Sequence, residues 1–115
     1  MIDVTVQLPD QLAGQILPAR RWLPAVLELG LARFKTPAAA ASSEIIDFLL
    51  RNPGVDEVLS YHVSDQAQWR LQRLLAMNAG GLLSEAEEEE LAELERLEHM
   101  LILVKVQAAE QARRV

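Results

Sequence analysis

The sequence predicts a mainly α-helical protein with one N-terminal β-strand, paired with its twin in a dimer, and helices that end in a long antiparallel hairpin. Three observations carry this prediction. Residues 2–8 alternate apolar and polar with period two, and no other run in the chain does so convincingly. Apolar residues from Leu91 to Ala108 recur at steps of three and four. Between these two regions, proline, glycine and capping residues cut the chain into segments of helix length.

The first segment places Ile2, Val4, Val6 and Leu8 on one face and Asp3, Thr5 and Gln7 on the other. Its β-branched content favours a strand. A lone strand leaves backbone N–H and C=O groups unpaired, so pairing with the same strand of a second chain is the simplest expectation, with a solvated N-terminal tail as the alternative. Pro9 then opens a short helix from Asp10 towards Ile16, which Pro18 closes. A second helix is expected from near Trp22 to about Phe34, with Leu23, Val26, Leu27, Leu31 and Phe34 as its buried stripe. Pro24 fits in its first turn, and Thr36-Pro37 stops it.

The alanine-rich stretch from Pro37 to Ala41 reads either as a hinge or as the lead-in to a third helix. Ser42 or Ser43 can cap that helix, which runs through Leu50 to the Asn52-Pro53-Gly54 turn. A short helix over Val55–Leu59 follows. Ser64 then caps a longer one with Ala67, Leu71, Leu74 and Leu75 on one face, ended by a left-handed glycine at Gly80-Gly81. Ser84 and Glu87 form a capping box that starts the longest helix, expected to reach about Ala112. Its seam is Leu91, Leu94, Leu97, Leu101, Val104 and Ala108. With the preceding helix it makes the hairpin.

Composition bounds the function. A length of 115 residues suits one small domain with a modest core, for which a partner chain is unsurprising. Half the residues are hydrophobic, too many for a disordered chain. Cysteine is absent, which excludes disulfides, thiolate metal sites and cysteine nucleophiles. Apolar runs are far shorter than the ~20 residues that span a bilayer. The N-terminus has neither the basic nor the apolar region of a secretory signal, so a cytoplasmic location is expected. Charge is unevenly placed. Four basic residues against three acids give +1 through Ala41, and seven against fourteen give −7 from Ser42 onward. The acidic part suits a basic protein partner, whereas the near-neutral head is compatible with nucleic acid.

No constellation points to catalysis. His62 and His99 lack further ligands, and Arg96 occupies the position three before His99 where a Glu-x-x-His metal motif needs glutamate. Glu95 and His99 share a helix face without making a metal site. The glutamates from Glu85 to Glu90 suit a helix N-terminus rather than a calcium loop. Trp22 and Trp69 read as core or interface anchors. The expectation is no enzyme, no catalytic residue, no cofactor and no metal.

The order strand, short helix, turn and second helix over residues 2–34 resembles the ribbon-helix-helix DNA-binding fold. VTVQLPDQL, from Val4 to Leu12, is similar to the strand and first-helix start of bacterial antitoxins of that class. NPGVDEVLSYHVS and GGLLSEAEEEELAELERLEHMLILVKVQA look like segments of small antitoxin-type bacterial proteins. The resemblance implies two domains: residues 1–36 for dimerisation and DNA binding, and residues 37–115 as an acidic helical interaction region. It implies an antiparallel ribbon in the major groove, with Thr5 and Gln7 as base readers and Asp3 at the fringe. Glutamine can pair with adenine, and the threonine methyl can touch thymine. The second helix would hold phosphate at its start, aided by Arg20 and Arg21. The implied protein is an antitoxin-like transcriptional regulator acting as a homodimer, with operator DNA and a toxin as partners and no membrane. The alternative is a helical interaction or scaffold protein without DNA binding. Its hairpin would dock a partner helix through Met100, Ile102, Leu103 and Val106, where the last helix is apolar almost all round.

Overall fold

Residues 2–113 are described in a computed structural model of the chain. Residues 2–9 carry no regular structure, and every one of them is exposed. The expected N-terminal β-strand is therefore corrected: among the described residues there is no strand, and the fold is all-helical rather than ribbon-helix-helix-like. Alternation decides which side chains would share a face, but a strand also needs a second ladder of N–H and C=O groups. No other segment has the pattern to supply one.

Pro9, with its fixed φ, precedes α1 (Asp10–Ile16), and a 3-10 segment (Leu17–Trp22) carries Pro18 in its first turn. α2 (Leu23–Ala32) accepts Pro24 at its start and ends at Arg33, whose φ of 52° is left-handed. The helix thus ends two residues before the expected Phe34, at the left-handed Arg33 rather than at Thr36-Pro37. α3 spans Ala38–Leu50, so the alanine-rich stretch is helix. The expected Ser42 or Ser43 cap is corrected: Ser42 is buried inside the helix, and the Thr36 hydroxyl instead accepts the Ala38 N–H at 3.2 Å. Asn52, left-handed at φ 54°, turns the chain into α4 (Val55–Ser60). Ser64 caps α5 (Asp65–Ala79) by accepting from the Ala67 N–H. Gly81, at φ 69°, supplies the left-handed turn expected of the glycine pair. α6 (Glu85–Arg113) starts from the expected capping box: Glu87 accepts the Ser84 N–H while the Ser84 hydroxyl accepts the Glu87 N–H.

α6 is the spine. Its 29 residues run about 44 Å at the ~1.5 Å rise of a helix, and α2, α3, α4 and α5 all pack on it. Arg70 of α5 meets Glu90, so the α5–α6 pair doubles back as a hairpin. α4 lies along the C-terminal half of the spine, where Val55 and Gln111 line one depression. Leu91, Leu94, Leu97, Val104 and Ala108 of the seam are buried, with Leu101 half-buried beside a groove. Each fully buried leucine contributes ~1.5–3 kcal/mol, which explains why the seam dictates the fold. Trp22, Ala25 and Leu29 from the head join Ile45 and Leu49 of α3 and Leu74 of α5 in the same core.

The buried stripe of α2 differs from expectation. Ala25 and Leu29 are buried, Val26 is half-buried, and Leu27 and Leu31 are 56% and 74% exposed. Glu28 is the only polar side chain of this helix, so its sequence has no polar face to orient it. Packing of the neighbouring Trp22 decides the rotation. On α5, Leu75 likewise turns outward while Leu74 is fully buried.

Two turns are locked by α6 carboxylates. Glu93 accepts the Lys35 N–H at 2.9 Å, the Thr36 N–H at 3.0 Å and the Thr36 hydroxyl at 2.6 Å, fixing the α2–α3 link. Burial works to raise the Glu93 pKa, but these donors, led by the Lys35 amide, outweigh it and hold the carboxyl below its ordinary value. The Ser84 amide and hydroxyl do the same to Glu87. Both folded-state values lie below the unfolded ones, so this stabilisation is present at neutral pH and is lost as pH falls through the folded values. The urea midpoint should decline as the pH drops below the ~4.3 of an ordinary glutamate, and Glu93→Ala should flatten that decline. An unchanged acid slope in the variant would contradict the assignment.

Candidate protein-interaction surfaces

The head ends in an uncovered surface. α1 is seven residues long, contains Gly14, buries no side chain and touches the rest of the fold chiefly through the 3-10 segment. Isolated helices shorter than ~12–15 residues are marginal in water, so α1 has little to hold it beyond its proline start. Beside it in the chain, Ile2, Val4 and Val6 are 65–88% exposed. Leu12, Leu17, Leu27 and Leu31 add further outward-facing aliphatics. The projecting arm and the long spine together raise the radius of gyration to 16.1 Å, against about 13 Å for a compact chain of this size.

The residues expected to contact DNA lie in this head but are not equivalent. Thr5 and Gln7 are exposed on the irregular arm, and Arg20 is exposed in the 3-10 segment. Arg21 is engaged within the fold: its guanidinium donates to the Pro53 carbonyl at 2.8 Å and lies over the Trp22 ring at 5.0 Å. The Trp22 Nε1–H donates to the same carbonyl at 3.0 Å, which satisfies the polar atom of a fully buried ring. Arg21 and Trp22 thus tie the head to the turn between α3 and α4.

The residues expected to contact a partner helix also divide. Met100 is half-buried and packs on the core. Ile102, Leu103 and Val106 are 49–51% exposed and lie together on the outer face of α6. Between α5 and α6 runs a groove of about 340 Å³ with Leu71, Leu94, Leu97 and Leu101 along its floor and His62, Glu98 and Lys105 among its polar lining. The His62 ring lies 3.1 Å from the Gln68 amide nitrogen, which itself donates to the Val63 carbonyl. On the other side of α5, the exposed Trp69 ring sits under Arg73 at 5.3 Å. Arg70 reaches from α5 to Glu90, making two bonds of 2.8 and 2.9 Å.

Among the described residues no three histidine, aspartate or glutamate side chains are grouped to hold a metal ion, and no helix is long and apolar enough to cross a membrane. The uncovered Leu27 and Leu31 were missed in the sequence because a stripe assigned by spacing alone presumed them buried. The available signal was the composition of LPAVLELGLA, which is too apolar for a helix with an open face. Comparison with protein-family models, curated proteins and solved structures found nothing that matches this chain.

Proposed function

We propose that this chain is a protein-binding module whose N-terminal head is an unfinished apolar surface completed by a partner protein. The observation that carries the reading is α2: a helix with one polar side chain presents Leu27 and Leu31 to water, and α1, on the far side of the 3-10 segment, buries nothing. Contiguous exposed apolar surface of this kind marks an interaction site. The net charge of −7 beyond residue 41 favours a partner with a basic surface, as a silenced toxin would offer in the antitoxin-type version of this reading.

A photo-reactive residue at position 31, with position 47 on the exposed side of α3 as control, tests it in the producing cells. Adducts at 31 and none at 47 are expected. A mass gain of one 12.8 kDa chain would identify the partner as a second copy. With the photo-reactive residue moved to position 4 on the exposed arm, Leu27→Asp with Leu31→Asp should abolish its adduct, while stability stays within ~0.5 kcal/mol because both sites are exposed. No adduct at 31 would overturn the proposal.

A second reading adds DNA, favoured by the exposure of Thr5, Gln7 and Arg20 on the one part of the chain that is not acidic. A low-salt gel shift on the chain's own promoter, lost on Gln7→Ala with Arg20→Ala, supports it; no shift at low salt removes it.

A further inference from the structure

We infer that the outer face of α6 is a self-complementary surface on which two copies of this chain pair antiparallel. Glu95, His99, Ile102, Val106, Glu110 and Arg113 follow one another at steps of 4, 3, 4, 4 and 3, so they form a single stripe, with Leu103 flanking its centre. All seven are exposed, and of them Ile102 also borders the α5–α6 groove. The stripe is apolar in the middle and polar at both ends, with Glu95 and His99 towards its start and Glu110 followed by Arg113 at its finish.

The order of the charges selects both occupant and orientation. A two-fold axis at the level of Val104 brings Glu95 of each copy opposite Arg113 of the other. It also sets Ile102 against Val106, with Leu103 near the axis, and places Glu110 beside His99. Every contact then occurs twice, as an isologous interface requires. A parallel pairing would instead set Glu95 against Glu95 and Arg113 against Arg113, which like-charge repulsion disfavours. The overlap from Glu95 to Arg113 is roughly 27 Å of helix, enough for several turns of ridge-and-groove packing. Three half-exposed aliphatics from each copy make a small apolar centre. The pair therefore belongs to the weak, reversible class below ~1,200 Å² of buried surface, and its end contacts make it salt-sensitive.

This surface is separate from the head, so the two proposals fail independently. Sedimentation equilibrium of the full chain, from micromolar to millimolar concentration at low salt, should show a monomer–dimer equilibrium that high salt weakens. Glu95→Arg alone and Arg113→Glu alone each place like charges opposite one another twice, and each should weaken the dimer at least ~10-fold. Mixing the two single variants should restore pairing as a heterodimer, and the double variant should restore the homodimer. Val106→Asp should abolish pairing with helicity by circular dichroism unchanged. A wild-type chain that remains single at millimolar concentration overturns the inference. So does a dimer indifferent to the single charge reversals, or a mixture that fails to pair, either of which points to another seat or another partner for the stripe.

Discussion

Trp22→Ala is expected to remove about 3–5 kcal/mol of stability, a large part of the ~5–15 kcal/mol available to a domain of this kind. The indole is fully buried where the 3-10 segment meets α2 and α3, and its removal leaves a cavity at the junction between head and body. Urea unfolding followed by circular dichroism reads the loss as a lower midpoint. Trp22→Phe separates the two contributions: it keeps most of the packing but removes the Nε1–H that donates to the Pro53 carbonyl, for about 1 kcal/mol. Arg21 still donates to that carbonyl, so the oxygen is not orphaned. A cost for Trp22→Ala no larger than for the phenylalanine variant would show that the ring is not the anchor described.

The second large effect concerns Arg70 and Glu90. Glu90 is 5% exposed and accepts both of its close bonds from the Arg70 guanidinium. Arg70→Met strands a carboxylate at the α5–α6 contact, an expected loss of about 2–4 kcal/mol. The arginine side chain is 36% exposed, which keeps the figure below that of a fully buried pair. Adding Glu90→Met should recover most of the loss, because two apolar side chains of similar length suit the contact once both charges are gone. A double-mutant cycle on urea midpoints decides the matter; a single-variant loss under ~0.5 kcal/mol would mean that water already solvates Glu90.

These two sites show what kind of information a sequence holds. The caps at Ser64 and Ser84 and the seam from Leu91 to Ala108 were legible because their causes are local: a side chain bonds an amide three residues away, or apolar positions repeat with the helix. Trp22 was legible as an anchor but not as a donor to Pro53, since that contact joins residues 31 apart. Glu93 gave no sign of its role, because a glutamate on a glutamate-rich helix is indistinguishable from its solvated neighbours until Lys35 and Thr36 arrive from elsewhere. For the candidate surfaces, Ile102, Leu103 and Val106 could be read from an apolar excess on α6. Arg21 could not be sorted from Arg20, as only folding brings the Pro53 carbonyl to one guanidinium.

The sequence by itself determined where most helices begin and end, which face of α6 enters the core, and how charge is divided along the chain, because each of these follows from neighbours within one or two turns. Tertiary structure alone decided that residues 2–8 form no ladder and that α2 buries Ala25 and Leu29 while leaving Leu27 and Leu31 in water. Alternation can prepare a strand but cannot supply its partner, and a helix with a single polar side chain has no preferred face until a neighbour as large as Trp22 takes one.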